Sequence, residues 1–294
     1  MKKYFYPQFV SQLPEAVLRI FSVFGDNNIR LVGGCVRDLI IEKKVNDYDF
    51  ACVFLPEKIA EILNRSGIKN IATGLKYGTI TAVIDEQNFQ ITTLRKDKNQ
   101  RGRDCDVDFT NDYMIDASRR DFTINALYLD EKGYIYDYFN GFDDLKNREV
   151  KFINNCAQRI QEDYLRIMRF LRFSCFYAQK IDTENLSSAI FYKNSLLQIS
   201  KERIREEFYK IINCQNFTKV AEVLKILHQH NFDLILWNSL IDDEAYTKLQ
   251  KYRHQIAADE FLELVIAAIF WHRAIDFKGL VANLKLTNHE KKII

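Results

Sequence analysis

Apolar residues follow two regimes along the chain. Up to the run Tyr134-Ile-Tyr-Asp-Tyr they come in short stretches broken by turns; from about Gln158 onward they recur almost continuously at helical spacing. In the first regime, Ala16, Val17, Ile20, Phe21 and Phe24 fall on one face of a helix between Pro14 and Gly25. Arg30–Val32 reads as a strand that enters a turn at Gly33-Gly34, and CVRDLII after it reads as a helix. Tyr48–Phe54 is expected as a strand. Pro56–Ser66 is expected as a helix, with Ile59, Ala60, Ile62 and Leu63 as its apolar residues. Gly78–Ile84 and Phe89–Leu94 are two strands separated by the turn sequence DEQN. Arg95–Asp108 (RKDKNQRGRDCDVD) has no hydrophobic period and is expected to be a charged loop. This part of the chain is therefore α+β with a small sheet.

The second regime predicts helices only. Gln158–Tyr177 reads as one helix, and Ser200 is placed to cap another, KERIREEFYKII, whose apolar face is Ile204, Phe208, Ile211 and Ile212. The domain boundary is expected near residues 138–150. The chain ends in the apolar helix Leu262–Phe270 and the segment LVANLKLTNHEKKII, with neither a cap nor a polar tail, so a longer natural protein is expected.

Composition narrows the function. A chain of 294 residues has room for two or three domains, and a net charge of +2 writes no strong attraction to nucleic acid into the total. Any basic surface must come from placement. With 10 Gly and 3 Pro, long helices are favoured over linkers. The six cysteines form no CxxC pair and read as reduced thiols of a cytoplasmic protein. The N-terminus lacks the apolar core of a signal peptide, and no run is long enough to span a membrane, so no membrane partner is expected. The five histidines show no metal-ligand spacing. No feature of the pattern sets an oligomeric state.

The chemistry gathers between Arg30 and Ala51, RLVGGCVRDLIIEKKVNDYDFA. Glycines at a strand-to-helix junction leave backbone N–H groups open at a helix N-terminus, which favours an anion. Asp47 and Asp49, at i and i+2 of a strand, would project from one face and could bind Mg²⁺ through hard oxygen ligands. Alone, such a pair more often describes a solvated acidic turn, and its neighbours reverse that weighting. Arg37 could reach a triphosphate or pair locally beside Asp38. Farther on, Arg119, Arg120 and Asp121 precede FTINAL. Phosphate contact by Arg120 and ribose contact by Asp121, supported by Asn125, compete there with a surface ion pair.

On the Gln158–Tyr177 helix, Arg159, Glu162, Asp163, Arg166, Arg169 and Arg172 make one polar, mostly basic stripe. It is either a solvated face or a base reader. An Asp carboxylate only accepts hydrogen bonds and an Arg guanidinium only donates them. Asp163 with Arg166 would accept the amine-beside-ring-nitrogen edge of C and A, and would reject the inverted edge of U and G. Arg203 and Glu207, at i and i+4, read as helix-packing residues.

Taken together, LVGGCVRDLI, NDYDFA, ITTLR, RRDFTINAL and EDYLRIMRFLRF, and more loosely ISKERIREEF, resemble the class II tRNA nucleotidyltransferase/poly(A) polymerase family of the DNA polymerase β-like nucleotidyltransferase superfamily. The resemblance covers about residues 28–212. It implies a catalytic head over residues 1–140, a helical neck over 141–212 that reads the incoming base, and a helical body over 213–294 that grips RNA. Asp47 and Asp49 would be the catalytic Mg²⁺ ligands, with Gly33, Gly34 and Arg37 around the triphosphate. Asp121 would sit by the ribose, with Arg120 and Asn125 holding the nucleotide. Glu162, Asp163 and Arg166 match the base-selecting EDxxR motif, and Arg169 continues the nucleotide-facing stripe. Arg95–Asp108 matches the family's flexible loop, associated with switching from C to A addition. The implied activity is addition of C and A to tRNA 3′ ends from CTP and ATP. A poly(A) polymerase, a CC-only or A-only enzyme, and a non-catalytic RNA-binding paralogue are the rivals. One departure stands out: Gln90 occupies the place where many members carry a carboxylate.

Overall fold

The structure, a computed structural model, describes residues 1–101, 104–251, 264–269 and 284. Residues 264–269 are helical, as expected; the flanks of that helix, Trp271 and the final segment apart from Leu284 lie outside the described residues. The chain divides into two compact units: residues 1–147 with 151–155, and residues 148–150 with 156 onward.

The first unit is built on an eight-stranded sheet. Its strands are β1 (Lys2–Phe5), β2 (Ile29–Val32), β3 (Asp49–Cys52), β4 (Lys69–Gly74), β5 (Thr79–Ile84), β6 (Gln87–Thr93), β9 (Leu127–Leu129) and β10 (Tyr134–Asp137), with β7 (Arg95–Arg101) and β8 (Asp104–Phe109) forming a separate pair. Its helices are α1 (Glu15–Phe24), α2 (Gly34–Ile40), α3 (Pro56–Arg65), α4 (Tyr113–Ser118) and α5 (Gly141–Lys146). The spatial order is β1-β10-β9-β2-β3-β6-β5-β4, antiparallel throughout except for the parallel pair β3–β6.

Local chemistry sets the breaks. Gly25 ends α1 at φ +72°, a conformation open to glycine without a Cβ penalty. Pro56 starts α3, where its missing N–H would lack a helical partner anyway. The DEQN turn closes as a two-residue hairpin with positive φ at both Asp85 and Glu86, the geometry that matches strand twist.

Alternation along the central strands sorts their faces. Phe50 meets Phe21 of α1 edge-on, with ring centroids 5.5 Å apart. Ala51 and Val32 join the cluster of Leu94, Tyr113, Ala117, Ala126 and Tyr128. Asp49 shares the phase of Ala51, so it belongs to the face covered by α4 rather than by α1.

The second unit is helical: α6 (Cys156–Glu162), α7 (Arg166–Tyr177), α8 (Thr183–Phe191), α9 (Lys201–Ile212), α10 (Phe217–Gln229), α11 (Phe232–Trp237) and α12 (Asp243–Gln250). Met168, Leu171, Phe208 and Ile211 are fully buried, and Phe208 lies 4.4 Å from the Trp237 ring.

Three expectations need correction. Within the expected charged loop Arg95–Asp108, Arg95–Arg101 and Asp104–Phe109 are paired antiparallel strands in which Lys96 opposes Asp108 and Lys98 opposes Asp106. Gln158–Tyr177 is two helices, interrupted at Asp163–Leu165. There the Asp163 carboxylate accepts from the Leu165 N–H at 3.1 Å, and the Asp163 carbonyl accepts from the Arg166 N–H at 2.9 Å. An Asp side chain that bonds backbone two residues on competes with the helix ladder and favours a turn. Ser200 does precede α9, but its side chain makes no cap bond.

Candidate active site

In the first unit the glycine turn collects most of the expected residues. Gly33 sits at φ +79° and ψ −124°, ends β2 and starts α2. Its own N–H is bonded to the Leu127 carbonyl at 3.1 Å. A Cβ added there would meet Arg120 Nη1 at 3.3 Å and the Asn125 carbonyl at 3.6 Å; one on Gly34 would meet Arg37 Nη2 at 3.5 Å. Both arginines therefore press against the turn. Arg37 is buried, donates Nη1 to Asn125 Oδ1 at 2.5 Å and pairs through Nε with Asp38 at 2.9 Å. Asn125 in turn donates to Asp121 Oδ1 at 2.9 Å, and that oxygen also takes the Phe122 N–H. Gly33, Gly34, Arg37, Arg120, Asp121 and Asn125 thus form one contiguous group.

The two aspartates lie at the end of β3, but only Asp49 is in the strand; Asp47 precedes it in an extended segment. The expected strand starts too early, so the two do not project by simple pleat alternation. They still feel each other. The walls of the site partly desolvate Asp49 and raise its carboxyl above the ordinary value; Arg120 pulls it down and the charge of Asp47 raises it again. Across the parallel pair, Asp49 stands beside Gln90, and both are exposed. Among the described residues no cluster of three or more His, Cys, Asp or Glu is present. Two mutually repelling, solvent-open carboxylates with a neutral amide beside them fit a cation bound partly by water and substrate oxygens, as Mg²⁺ prefers. They do not make an all-protein cage. Burial pushes the nearby Cys35 and Cys52 thiols up to about 11 and about 12, so neither is poised as a nucleophile. Cys35, Cys52, Cys156, Cys175 and Cys214 are free; the Cys105 side chain lies outside the described residues.

In the second unit, Asp163 and Arg166 flank the break between α6 and α7, and each is engaged internally. Asp163 Oδ2 accepts from Arg203 Nη2 of α9 at 2.7 Å. Arg166 is buried and donates Nη1 to Glu162 Oε2 at 2.6 Å and to the Arg159 carbonyl at 2.7 Å. Glu207, also on α9, receives Arg172 Nε at 2.6 Å and lies 4.0 Å from Arg169. Arg203 and Glu207, read from sequence as packing residues, therefore hold the polar stripe in place.

Residues 29–151 match the family described as the Poly A polymerase head domain. The chain is 43% identical to the human CCA tRNA nucleotidyltransferase 1, mitochondrial, over 98% of its own length and 66% of the relative's. It is 33% identical to the zebrafish (Danio rerio) protein of that name over 97% of its own length and 67% of the relative's. The chain belongs to the tRNA nucleotidyltransferase/poly(A) polymerase family. A crystal structure of the Bacillus stearothermophilus CCA-adding enzyme in complex with CTP superposes with a TM-score of 0.77 at 26% identity, covering 94% of this chain and 67% of that one. The chain spans about two thirds of the length of these family members. No helix among the described residues is long and apolar enough to cross a membrane.

Two participants were missed in the sequence. Asp116 and Tyr128 form the buried floor under Arg120, with the Tyr128 hydroxyl donating to Asp116 Oδ2 at 2.8 Å. An Asp three and four residues before two adjacent arginines at the end of a helix was the available signal.

Proposed function

We propose that this protein is a template-independent RNA nucleotidyltransferase that adds C and A residues to tRNA 3′ ends from CTP and ATP. The observation that carries this reading is the convergence of Arg37 and Arg120 on Gly33-Gly34, combined with the Asp47–Asp49 pair at the end of β3. Arginines at a helix N-terminus suit a triphosphate. The RNA 3′-hydroxyl attacks the α-phosphate in line, the α–β phosphoanhydride bond breaks, and pyrophosphate leaves. Mg²⁺ held through Asp47 and Asp49 would neutralise the developing charge on the phosphoryl oxygens. The remainder of the work is positioning by the chain's own residues. Arg120 and Arg37 fix the triphosphate. Asn125, itself bonded to Asp121, braces Arg37, and Asp121 would meet the ribose. Asp163 and Arg166 present an acceptor and a donor to the base edge, and Arg169 extends the stripe.

The relatives' names, which specify CCA addition to tRNA, support the substrate choice. The poly(A) polymerase description of the head-domain match keeps poly(A) addition as the second reading. The scattered free thiols suit a reducing compartment, and the word mitochondrial in the relatives' names makes the matrix as good a candidate as the cytoplasm.

The deciding experiment offers purified protein and Mg²⁺ three tRNA transcripts, ending before CCA, after C and after CC. CTP, ATP, UTP and GTP are supplied singly, and CTP with ATP. Growth that stops at CCA establishes the reading. A long ladder with ATP alone moves it to poly(A) addition. No incorporation overturns it and favours a non-catalytic RNA-binding paralogue, with Gln90→Glu as the first restoration to try.

A further inference from the structure

Asp116 of α4 is 1% exposed, yet four groups donate to its carboxylate. Its Oδ1 accepts from Arg119 Nε at 2.9 Å and from the Arg95 backbone N–H at 3.3 Å. Its Oδ2 accepts from the Tyr128 hydroxyl at 2.8 Å and from Arg120 Nη2 at 3.2 Å. The two oxygens thus serve different places. On the Oδ1 side, Arg119 closes α4 and Arg95 belongs to the root of the β7–β8 hairpin. Arg95 is its first residue; its Nε donates to Asp97 at 3.1 Å and its Nη1 to the Tyr77 carbonyl. Arg119 lies 3.8 Å from the other Asp97 oxygen. On the Oδ2 side, Tyr128 belongs to β9 and Arg120 reaches the glycine turn. Arg120 lies 5.6 Å above the Tyr128 ring, with its Nη1 beside Gly33.

Burial by itself would push the Asp116 carboxyl up. Arg119, Arg120 and the Tyr128 hydroxyl outweigh it and hold the group below the usual carboxylate range. A buried ion group of this kind is a weak stability device, because well-packed apolar residues often do as well. Its geometry explains it better. Arg120 is held by a carboxylate that also grips the first residue of β7.

We propose that Asp116 is a positioning residue that sets Arg120 for the nucleoside triphosphate and couples that arginine to the root of the β7–β8 hairpin. The proposal rests on the nucleotidyltransferase reading above. Linkage requires the coupling to run both ways: a nucleotide on Arg120 must order the hairpin root by as much as an ordered root tightens the nucleotide.

The test uses the full chain, CTP as probe and a tRNA lacking CCA. Wild type is compared with Asp116→Asn, which keeps shape and removes charge, and with Asp97→Asn, which loosens the hairpin root without touching Arg120. Thermal melts establish folding. The readouts are KM and kcat for CTP, and the rate of trypsin cleavage within residues 95–101 with and without CTP. Asp116→Asn is expected to raise KM about tenfold while changing kcat less, the pattern of a lost ground-state contact. CTP should slow cleavage in wild type and do so at least about threefold less in Asp116→Asn. Asp97→Asn should shift KM in the same direction by a smaller factor; if Asp116→Asn does not fold, this variant decides. An active wild type with unchanged KM and unchanged protection in the folded variants overturns the coupling and leaves the function standing. A wild type that neither binds CTP nor extends RNA overturns both.

Discussion

Asp49 and Gln90 stand side by side across the one parallel strand pair of the head sheet, so a neutral amide faces the strand carboxylate. Gln90→Glu would place a third negative charge at this point. Its repulsion raises the Asp49 carboxyl further when no cation is bound, and a divalent ion relieves it. The expected outcome is a fall of roughly tenfold in the Mg²⁺ concentration needed for half-maximal incorporation. A Mg²⁺ titration of CTP incorporation, supported by direct Mn²⁺ binding, checks it; unchanged curves would show that Gln90 lies outside the ion's reach.

The Asp163–Arg203 pair at 2.7 Å predicts that base choice depends on α9. Arg203→Ala leaves the Asp163 carboxylate without that anchor and free to turn from the base edge. Selectivity for CTP over UTP should fall about tenfold or more, since selectivity rests on hydrogen bonds placed at the right atoms. Single-nucleotide incorporation ratios measure it, and retained selectivity would mean the α6–α7 turn holds Asp163 alone.

Gly33→Ala should damage both stability and binding. The backbone lies at φ +79° and ψ −124°, and the new methyl group would sit 3.3 Å from Arg120. A loss of about 1–3 kcal/mol is expected from the backbone conformation. Denaturant midpoints and the KM for CTP report the two effects; a wild-type value for either contradicts the tight approach described.

Acid should expose the Asp116 contribution. Its folded carboxyl is held below the ordinary value of about 3.9, so the stability it adds is full above that pH and is lost as pH falls through the folded range. The stability gap between wild type and Asp116→Asn should be largest near neutral pH and shrink below about pH 4. Urea midpoints at about pH 7 and about pH 3 decide it, and a gap that widens in acid would reverse the sign.

What the sequence disclosed, and what it hid, follows from which forces leave a period. The apolar faces of α1 and α3 and the strands around Gly33 are written as 3.6 and 2.0 spacings, because burial repeats with the backbone. The β7–β8 hairpin is hidden because it is held by cross-strand charge pairs such as Lys98–Asp108, whose partners are set by register rather than by hydrophobic order. The break at Asp163 is hidden because apolar spacing continues across it, and the turn depends on one side chain bonding two residues on. The glycine turn and its arginines were legible as a group. Asp116 was legible only as an acid spaced three and four residues from Arg119 and Arg120; the Arg95 N–H and the Tyr128 hydroxyl converge on it only in space.

The parallel pairing of β3 with β6 makes everything between them a closed excursion. The chain leaves after Cys52, runs through α3, β4 and β5, and returns with Gln90 level with Asp49. That register is fixed by hydrogen bonds at the return, not by the length of the path. Gly67, in the α3–β4 turn, has open space where a side chain would go. The excursion is therefore modular: residues can be inserted or lost near Gly67 while Asp49 and Gln90 keep their places. Length polymorphism among relatives is expected to concentrate there, and that turn is the natural position for a label or an inserted reporter.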